Sequence, residues 1–215
     1  MNLLYWDIET GPLPAAELEA ALPPFDEADV KLGNLKDEAR IAAKIAEARA
    51  RHRENFFERA ALDPMTGRVL AFGVRDEDGV NTILCDEDEI AVLSGAWGVF
   101  NGVKSYTQFV GFNIFNFDLP FLIRRSWKLG VKVPFARRKR YWPEVFVDLR
   151  EVWQLGEYQA RGSLDSISRF LGYSGKSGDG AEFANLLRQD RQAALDYLAR
   201  DLELTEAVAG RLLSS

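Results

Sequence analysis

Cysteine and histidine are nearly missing from this chain: its 215 residues contain one of each. Cys85 alone cannot close an internal disulfide, and it lies in an apolar, strand-like run. It reads as a packing residue in a protein kept in a reducing compartment. His52 alone excludes a histidine-rich zinc site within one chain. No apolar run reaches the roughly 18–20 residues that span a bilayer. No secretory leader is expected, because Asp7 and Glu9 interrupt the first residues before an apolar core forms. A cytoplasmic location in a bacterial or phage-type setting is the expectation. Internal repeats and low-complexity tails are also absent, which excludes solenoids and disordered arrays. What remains is most simply one domain, large enough to bury about 70–75% of its unfolded surface.

An excess of positive charge is lacking too, since the net charge is −6. That balance argues against a nucleic-acid binder until its distribution is read. Residues 119–143 hold eight Lys or Arg and no acid, including Arg124, Arg125, Lys128, Lys132 and the run Arg137, Arg138, Lys139, Arg140. The rest of the chain carries −14. A local positive segment holds phosphates while an acidic remainder weakens non-specific binding. Trp127, Phe135, Tyr141 and Trp142 interleave with these charges and are suited to stack on bases. The competing reading is a solvated helix face with a few aromatics in the core.

Periodicity outlines an α/β chain. Residues 2–7 read as a strand. Residues 35–60 read as a charged amphipathic helix with Ile41, Ile45, Ala48, His52 and Phe56 on one stripe. His52 on that stripe is a packing or edge residue. Strands are expected at 68–75 and 80–85, with Asp78-Gly79 as the hairpin turn. The acids Asp86, Glu87, Asp88 and Glu89 precede an apolar periodic run, so they read as a helix start and not as a metal cluster. A buried strand at 106–112, a helix at 117–129 and a short strand at 145–148 with a helix behind it follow. Ser163 opens another helix, with Asp165 as a first-turn acid. The glycine-rich stretch 172–180 has neither a preceding strand nor the ending of a phosphate loop, so it reads as an interhelical connection. Residues 190–213 form the last helix, with Ala194, Leu198, Leu202, Thr205, Ala209 and Leu212 as its apolar stripe. Three strands followed by strand–helix alternation give an α/β fold with a mixed sheet.

Three short motifs carry chemistry. Asp7 and Glu9 stand two apart at the end of the first strand, so both carboxylates share a face. Asp118 closes Asn113-Ile114-Phe115-Asn116-Phe117-Asp118. Tyr197 and Asp201 lie one helical turn apart, again on one face. If the segments converge they form an all-oxygen cage suited to Mg²⁺ or Mn²⁺ and not to zinc. A cluster of four carboxylates is self-repelling without cations.

The ordered set resembles the DEDD group of 3′–5′ exonucleases of the ribonuclease H-like superfamily. Its tyrosine is that of the DEDDy branch, similar to the proofreading exonuclease domain of B-family DNA polymerases. The resemblance covers roughly residues 1–12 and 65–215, and residues 13–64 depart from it as a helical insertion. It implies a five-stranded mixed sheet with the first strand central, flanked by helices. It also implies two divalent cations about 3.5–4 Å apart that clamp the scissile phosphate. Asp7, Glu9 and Asp201 would hold one, and Asp7 would bridge to the second with Asp118 in support. Tyr197 would orient the attacking water. Ile8, Thr10, Asn113, Phe117, Lys176 and the basic run Arg137–Arg140 are the candidate substrate contacts. The implied substrate is a single-stranded or frayed DNA 3′ end, and the implied partner is a DNA polymerase or another replication or repair protein. Two alternatives stay open. One is an RNA 3′-end trimmer of the same chemistry. Ribonuclease D-like enzymes share the tyrosine but usually carry further helical domains, and this sequence runs only fourteen residues past Asp201. The other is a non-catalytic binding module with an exonuclease fold, which would tolerate loss of the carboxylates that this chain retains. The insertion is expected to guide the strand through its basic helix.

Overall fold

The structure is a computed structural model that describes residues 2–102, 106–134, 143–157, 159–176, 178 and 183–214. Along the chain, β1 (Asn2–Pro12) leads into α1 (Ala15–Ala21) and α2 (Glu38–Arg59). Then come β2 (Gly67–Arg75), β3 (Asn81–Cys85), α3 (Glu89–Gly102) and β4 (Thr107–Gly111). The remainder is α4 (Asp118–Leu129), β5 (Phe146–Asp148), α5 (Leu149–Gln154), α6 (Leu164–Phe170), α7 (Phe183–Gln189) and α8 (Arg191–Leu212). Two compact units divide the chain. One comprises residues 1–11 and 69–215, the other residues 12–68.

The larger unit is built on a five-stranded mixed sheet of order β3-β2-β1-β4-β5. The expected central first strand and α/β architecture are therefore present. β1 runs parallel to β4, β4 parallel to β5, and β2 antiparallel to β3. Alternation along β1 sends Trp6 and Ile8 into one core and Tyr5 into another. On the first face, Trp6 meets Phe100 edge-on with ring centroids 5.0 Å apart. Phe72, Leu93, Leu119, Phe121 and Leu122 complete that core from β2, α3 and α4. On the other face, Leu198 and Leu202 of α8 pack with Leu70, Ala71 and Phe183. Burial of this kind stabilises by about 25 cal/mol per Å² of apolar surface and holds the strand ends in register.

The structure differs from expectation at two points, the length of β1 and one additional short helix. β1 continues to Pro12, so Asp7 and Glu9 lie inside the strand and not at its end. Pairing with β4 stops at Tyr5↔Val110, whereas β1 keeps β2 as its neighbour on the other side. Helix α7 was not expected, because it is short and follows directly on the glycine-rich stretch.

Gly111 ends β4 where the backbones come close. A Cβ there would lie 2.9 Å from the Trp6 carbonyl oxygen. Gly111→Ala is expected to destabilise the unit by about 1–3 kcal/mol, the usual penalty for overpacking. Urea titration checks this, and an unchanged midpoint would contradict it.

The smaller unit is helical. The expected stripe of α2 is its half-buried side: Ile41, Ile45, Ala48, His52 and Phe56 are all partly buried. α2 is a single unbroken helix, capped by the Asp37 side chain on the Arg40 N–H. His52 packs beside Phe25 and its Nε2 lies 3.0 Å from the Pro23 carbonyl oxygen, a packing role. Arg49 and Arg53 pair with Glu27 and Glu19, and Arg51 with Glu47. Much of the helix's basic character is thus matched by acids of its own unit.

Candidate active site

Strand and helix periods bring the separated motifs together. Asp7 and Glu9 project from the same side of β1, and Asp201 from the α8 face that packs on the sheet. One carboxylate oxygen from each of the three lies within 4.8 Å of the others. Glu9 and Asp201 are buried, and no other such acidic grouping occurs among the described residues. Asp118 joins from the start of α4, just past the end of β4. It is buried, and its Oδ1 accepts from the Ile8 N–H at 3.4 Å, between the two carboxylates of β1. Asp7 Oδ1 accepts from the same N–H at 3.0 Å.

Electrostatics identify what this cluster lacks. Burial, followed by the Coulomb field of Asp201, raises the Asp7 pKa to about 6, although Lys176 opposes the shift. Burial and then Asp7 push the Asp118 carboxyl well above the usual carboxylate range. Glu9 is pushed up in the same way by burial, Asp7 and Asp201. Lone-pair oxygens crowded in a buried site with raised pKa values are a donor set short of positive charge. All the donors are oxygens, so the set fits Mg²⁺ or Mn²⁺.

One cation of the chain already partners the cluster. The Lys176 ammonium hydrogen-bonds Asp201 Oδ2 and lies 5.8 Å from the centre of the Tyr197 ring. Burial works against its charge, but Asp7 and Asp201 outweigh it and push its pKa up. The loop is anchored by Asp165, whose Oδ1 accepts from the Lys176 N–H at 2.8 Å and whose carboxylate pairs with Arg169. A cleft of about 350 Å³ opens beside Lys176 and Asp201, with Tyr173 and Arg200 on its walls.

Tyr197 is buried next to these groups, and among the described residues its hydroxyl makes no hydrogen bond of good geometry, although Asp201 stands close by. Burial and then the Asp201 charge push its pKa up, so it stays protonated at neutral pH.

These shifts predict a pH-dependent stability. An acid whose folded pKa is raised binds more protons folded than unfolded, so its contribution is lost as pH rises. For Asp7 the loss runs from its ordinary value of 3.8 up through about 6, and Glu9 and Asp118 extend it upward. The metal-free protein is expected to melt higher near about pH 5.5 than near about pH 8. Mn²⁺ is expected to raise Tm more at the higher pH, because metal ligands must be deprotonated. Differential scanning fluorimetry in EDTA and in Mn²⁺ tests this. A metal response that is equal at both pH values would contradict it.

The expected substrate residues fall out unevenly. The Ile8 side chain is buried in the core, so only its backbone reaches the cluster. Thr10 is buried on β1. Phe117 is half-buried and packs on Phe121 at 5.4 Å between ring centroids. Asn113 adopts φ +63 in the turn before α4. Arg137, Arg138, Lys139 and Arg140, with Phe135, Tyr141 and Trp142, lie outside the described residues. Arg125 is withdrawn from the basic segment, being buried in an ion pair with Glu89 at 2.7 Å. Glu89 is therefore more than a first-turn acid, for it also accepts from the Val69 N–H at 2.9 Å. Asp148 and Arg150, which brace the Asn113 turn, escaped the sequence reading. The only local signal was Phe146-Val147-Asp148-Leu149, an acid placed to cap a helix behind a strand.

Comparison with known proteins bears on the family and the fold. Residues 69–205 match a family model described as "Predicted 3'-5' exonuclease related to the exonuclease domain of PolB". The match includes Asp118, Tyr197 and Asp201 and begins after the strand bearing Asp7 and Glu9. No curated protein matches. Among solved structures, the fold is similar to that of the family B DNA polymerase from the hyperthermophilic archaeon Pyrobaculum calidifontis. The TM-score is 0.66 at 18% identity, over 99% of this chain and 24% of the polymerase chain. The chain thus spans about a quarter of that polymerase's length. With more than half of its residues matched to one model, the chain belongs to the family of predicted 3′–5′ exonucleases related to the exonuclease domain of PolB.

Proposed function

We propose that the chain is a divalent-metal-dependent 3′–5′ exonuclease of the DEDDy type, trimming single-stranded or frayed DNA 3′ ends to nucleoside monophosphates. The convergence of Asp7, Glu9 and Asp201 within 4.8 Å, with Asp118 adjoining, carries the reading. These four carboxylates would hold two Mg²⁺ or Mn²⁺ ions. Such ions, when bound, neutralise the cluster, polarise the phosphodiester and lower the pKa of water.

The chain's own residues supply the rest. Tyr197, kept protonated, is a hydrogen-bond partner that orients water in line with the phosphorus and is no general base. Lys176 offers a fixed positive charge at the cluster's edge for a substrate phosphate. The buried apolar surroundings of β1 and α8 limit competing solvent and strengthen each of these interactions. Asn113 stands at the entrance to α4 as a polar contact for the terminal nucleotide, with Phe117 as its apolar neighbour. The backbones of Ile8 and Thr10 line the strand side. A DNA polymerase or another replication or repair protein is the partner class that the family relationship supports.

Oligonucleotide specificity tests the substrate. Single-stranded DNA, a DNA duplex with a frayed 3′ end and RNA of the same sequence are compared with Mg²⁺ and with Mn²⁺. Single-stranded DNA is expected to be cut fastest. Faster cutting of RNA would move the assignment to RNA 3′-end trimming. Replacing Arg137, Arg138, Lys139 and Arg140 with Gln is expected to weaken DNA binding and to lower its salt slope by up to about four phosphate contacts. Mn²⁺ affinity should stay unchanged. An unaltered salt slope would assign the segment to a solvated face.

A further inference from the structure

At the carboxyl end of β4 the chain turns through Asn113 in the left-handed region, φ +63. Asparagine tolerates this conformation better than most residues, but it still needs support. Asp148 gives that support from below. It ends β5, is only 2% exposed, and accepts from the N–H groups of Asn113 at 2.7 Å and Phe115 at 2.9 Å. It also accepts from the Arg150 N–H at 2.9 Å, capping α5. One carboxylate thereby ties β5, α5 and the turn ahead of Asp118 together.

The side chain of Arg150 then fixes the side chain of Asn113. Its Nη1 donates to Asn113 Oδ1 at 3.3 Å, and Asn116 Nδ2 donates to the same oxygen at 3.1 Å. A guanidinium has donors and no acceptor, so it selects the oxygen end of the Asn113 amide. The NH₂ end is turned the other way, and no hydrogen bond from it occurs among the described residues. A donor group is thus held in one orientation, five residues ahead of a carboxylate of the cluster.

We infer that Arg150 is a positioning residue, which locks the Asn113 amide so that its NH₂ donates to an acceptor oxygen of the terminal nucleotide. Asp148 anchors the backbone beneath it. The inference rests on the proposed exonuclease reading for the nature of the ligand. Arg150 acts through Asn113 and does not itself touch the substrate.

A double-mutant cycle separates these roles. The ligand is a 5′-fluorescent single-stranded DNA oligonucleotide with phosphorothioate linkages at its 3′ end, and Kd is read by anisotropy in Mg²⁺. Arg150 is partly exposed, so Arg150→Met leaves the core untouched. Arg150→Met is expected to raise Kd by about 3–10-fold, the effect of one positioned hydrogen bond. Asn113→Ala should raise it at least as much. The double variant should bind no worse than Asn113→Ala alone, because the two residues act as a unit. The salt slope should stay that of the wild type. Additive losses, or a slope reduced by about one, would mean that Arg150 meets a phosphate directly and would overturn the inference. So would an unchanged Kd for Arg150→Met in a protein that cuts DNA normally. A wild type that neither binds nor cuts any oligonucleotide would overturn both this inference and the exonuclease reading.

Discussion

Asp7→Asn and Asp201→Asn are each expected to reduce turnover by more than about 10³-fold, beyond the effect of losing a single hydrogen-bond donor. Each exchange removes a full negative charge and one ligand oxygen from a cluster whose proposed task is to hold two divalent cations. Mn²⁺ affinity should fall in parallel. Folding should not, and here the electrostatics give a control. Asp7 raises the pKa of both Glu9 and Asp118, so its charge opposes theirs in the metal-free protein. Asp7→Asn is expected to be as stable as the wild type in EDTA at neutral pH, or more stable. Asp201→Asn differs, because it also weakens the hydrogen bond of the Lys176 ammonium, on which Asp7 acts through its charge alone. Calorimetric Mn²⁺ titration, thermal melting in EDTA and single-turnover cleavage distinguish these effects. Retained metal affinity in both variants would contradict the assignment of the cluster.

Tyr197→Phe is expected to act differently. It removes a buried hydroxyl that makes no hydrogen bond of good geometry among the described residues, and it leaves every carboxylate in place. Metal affinity should therefore persist while the single-turnover rate falls by about 10–1,000-fold, the range of a positioning contact. Stability should hold, since the ring and its packing on Phe183 are kept. A wild-type rate would show that water is positioned by some other residue. A loss of Mn²⁺ binding would show that the tyrosine belongs to the metal site itself.

The features that were legible in the sequence are those that local period fixes. Alternation along β1 sets Asp7 and Glu9 on one face, and a single helical turn sets Tyr197 beside Asp201. The order of strands and helices was sufficient to give an α/β fold with a mixed sheet, and the resemblance to the DEDD exonucleases implied β1 at its centre. The half-buried stripe of α2 was readable for the same reason. The features that escaped depend on contacts distant in sequence. Arg125 looked like a member of a basic patch, and only the approach of α3 to α4 shows it buried against Glu89. Lys176 was a candidate substrate contact in an interhelical connection, but nothing local told that Asp165 fixes its backbone and Asp201 its ammonium. Asp148 carried the signal of a helix cap and nothing of its second task, because its other partners lie more than thirty residues earlier. The far end of β1 was misread because pairing with β2 carries the strand past its carboxylates.

The most direct test of the central claim is a time course on a 5′-labelled single-stranded DNA oligonucleotide with Mn²⁺, with Mg²⁺ and with EDTA, the released products being identified by mass. The account predicts a ladder shortening one nucleotide at a time from the 3′ end, release of nucleoside 5′-monophosphates, and no cleavage in EDTA. Cleavage that persists in EDTA, products that end in a 3′-phosphate, or an intact oligonucleotide under every condition would contradict it.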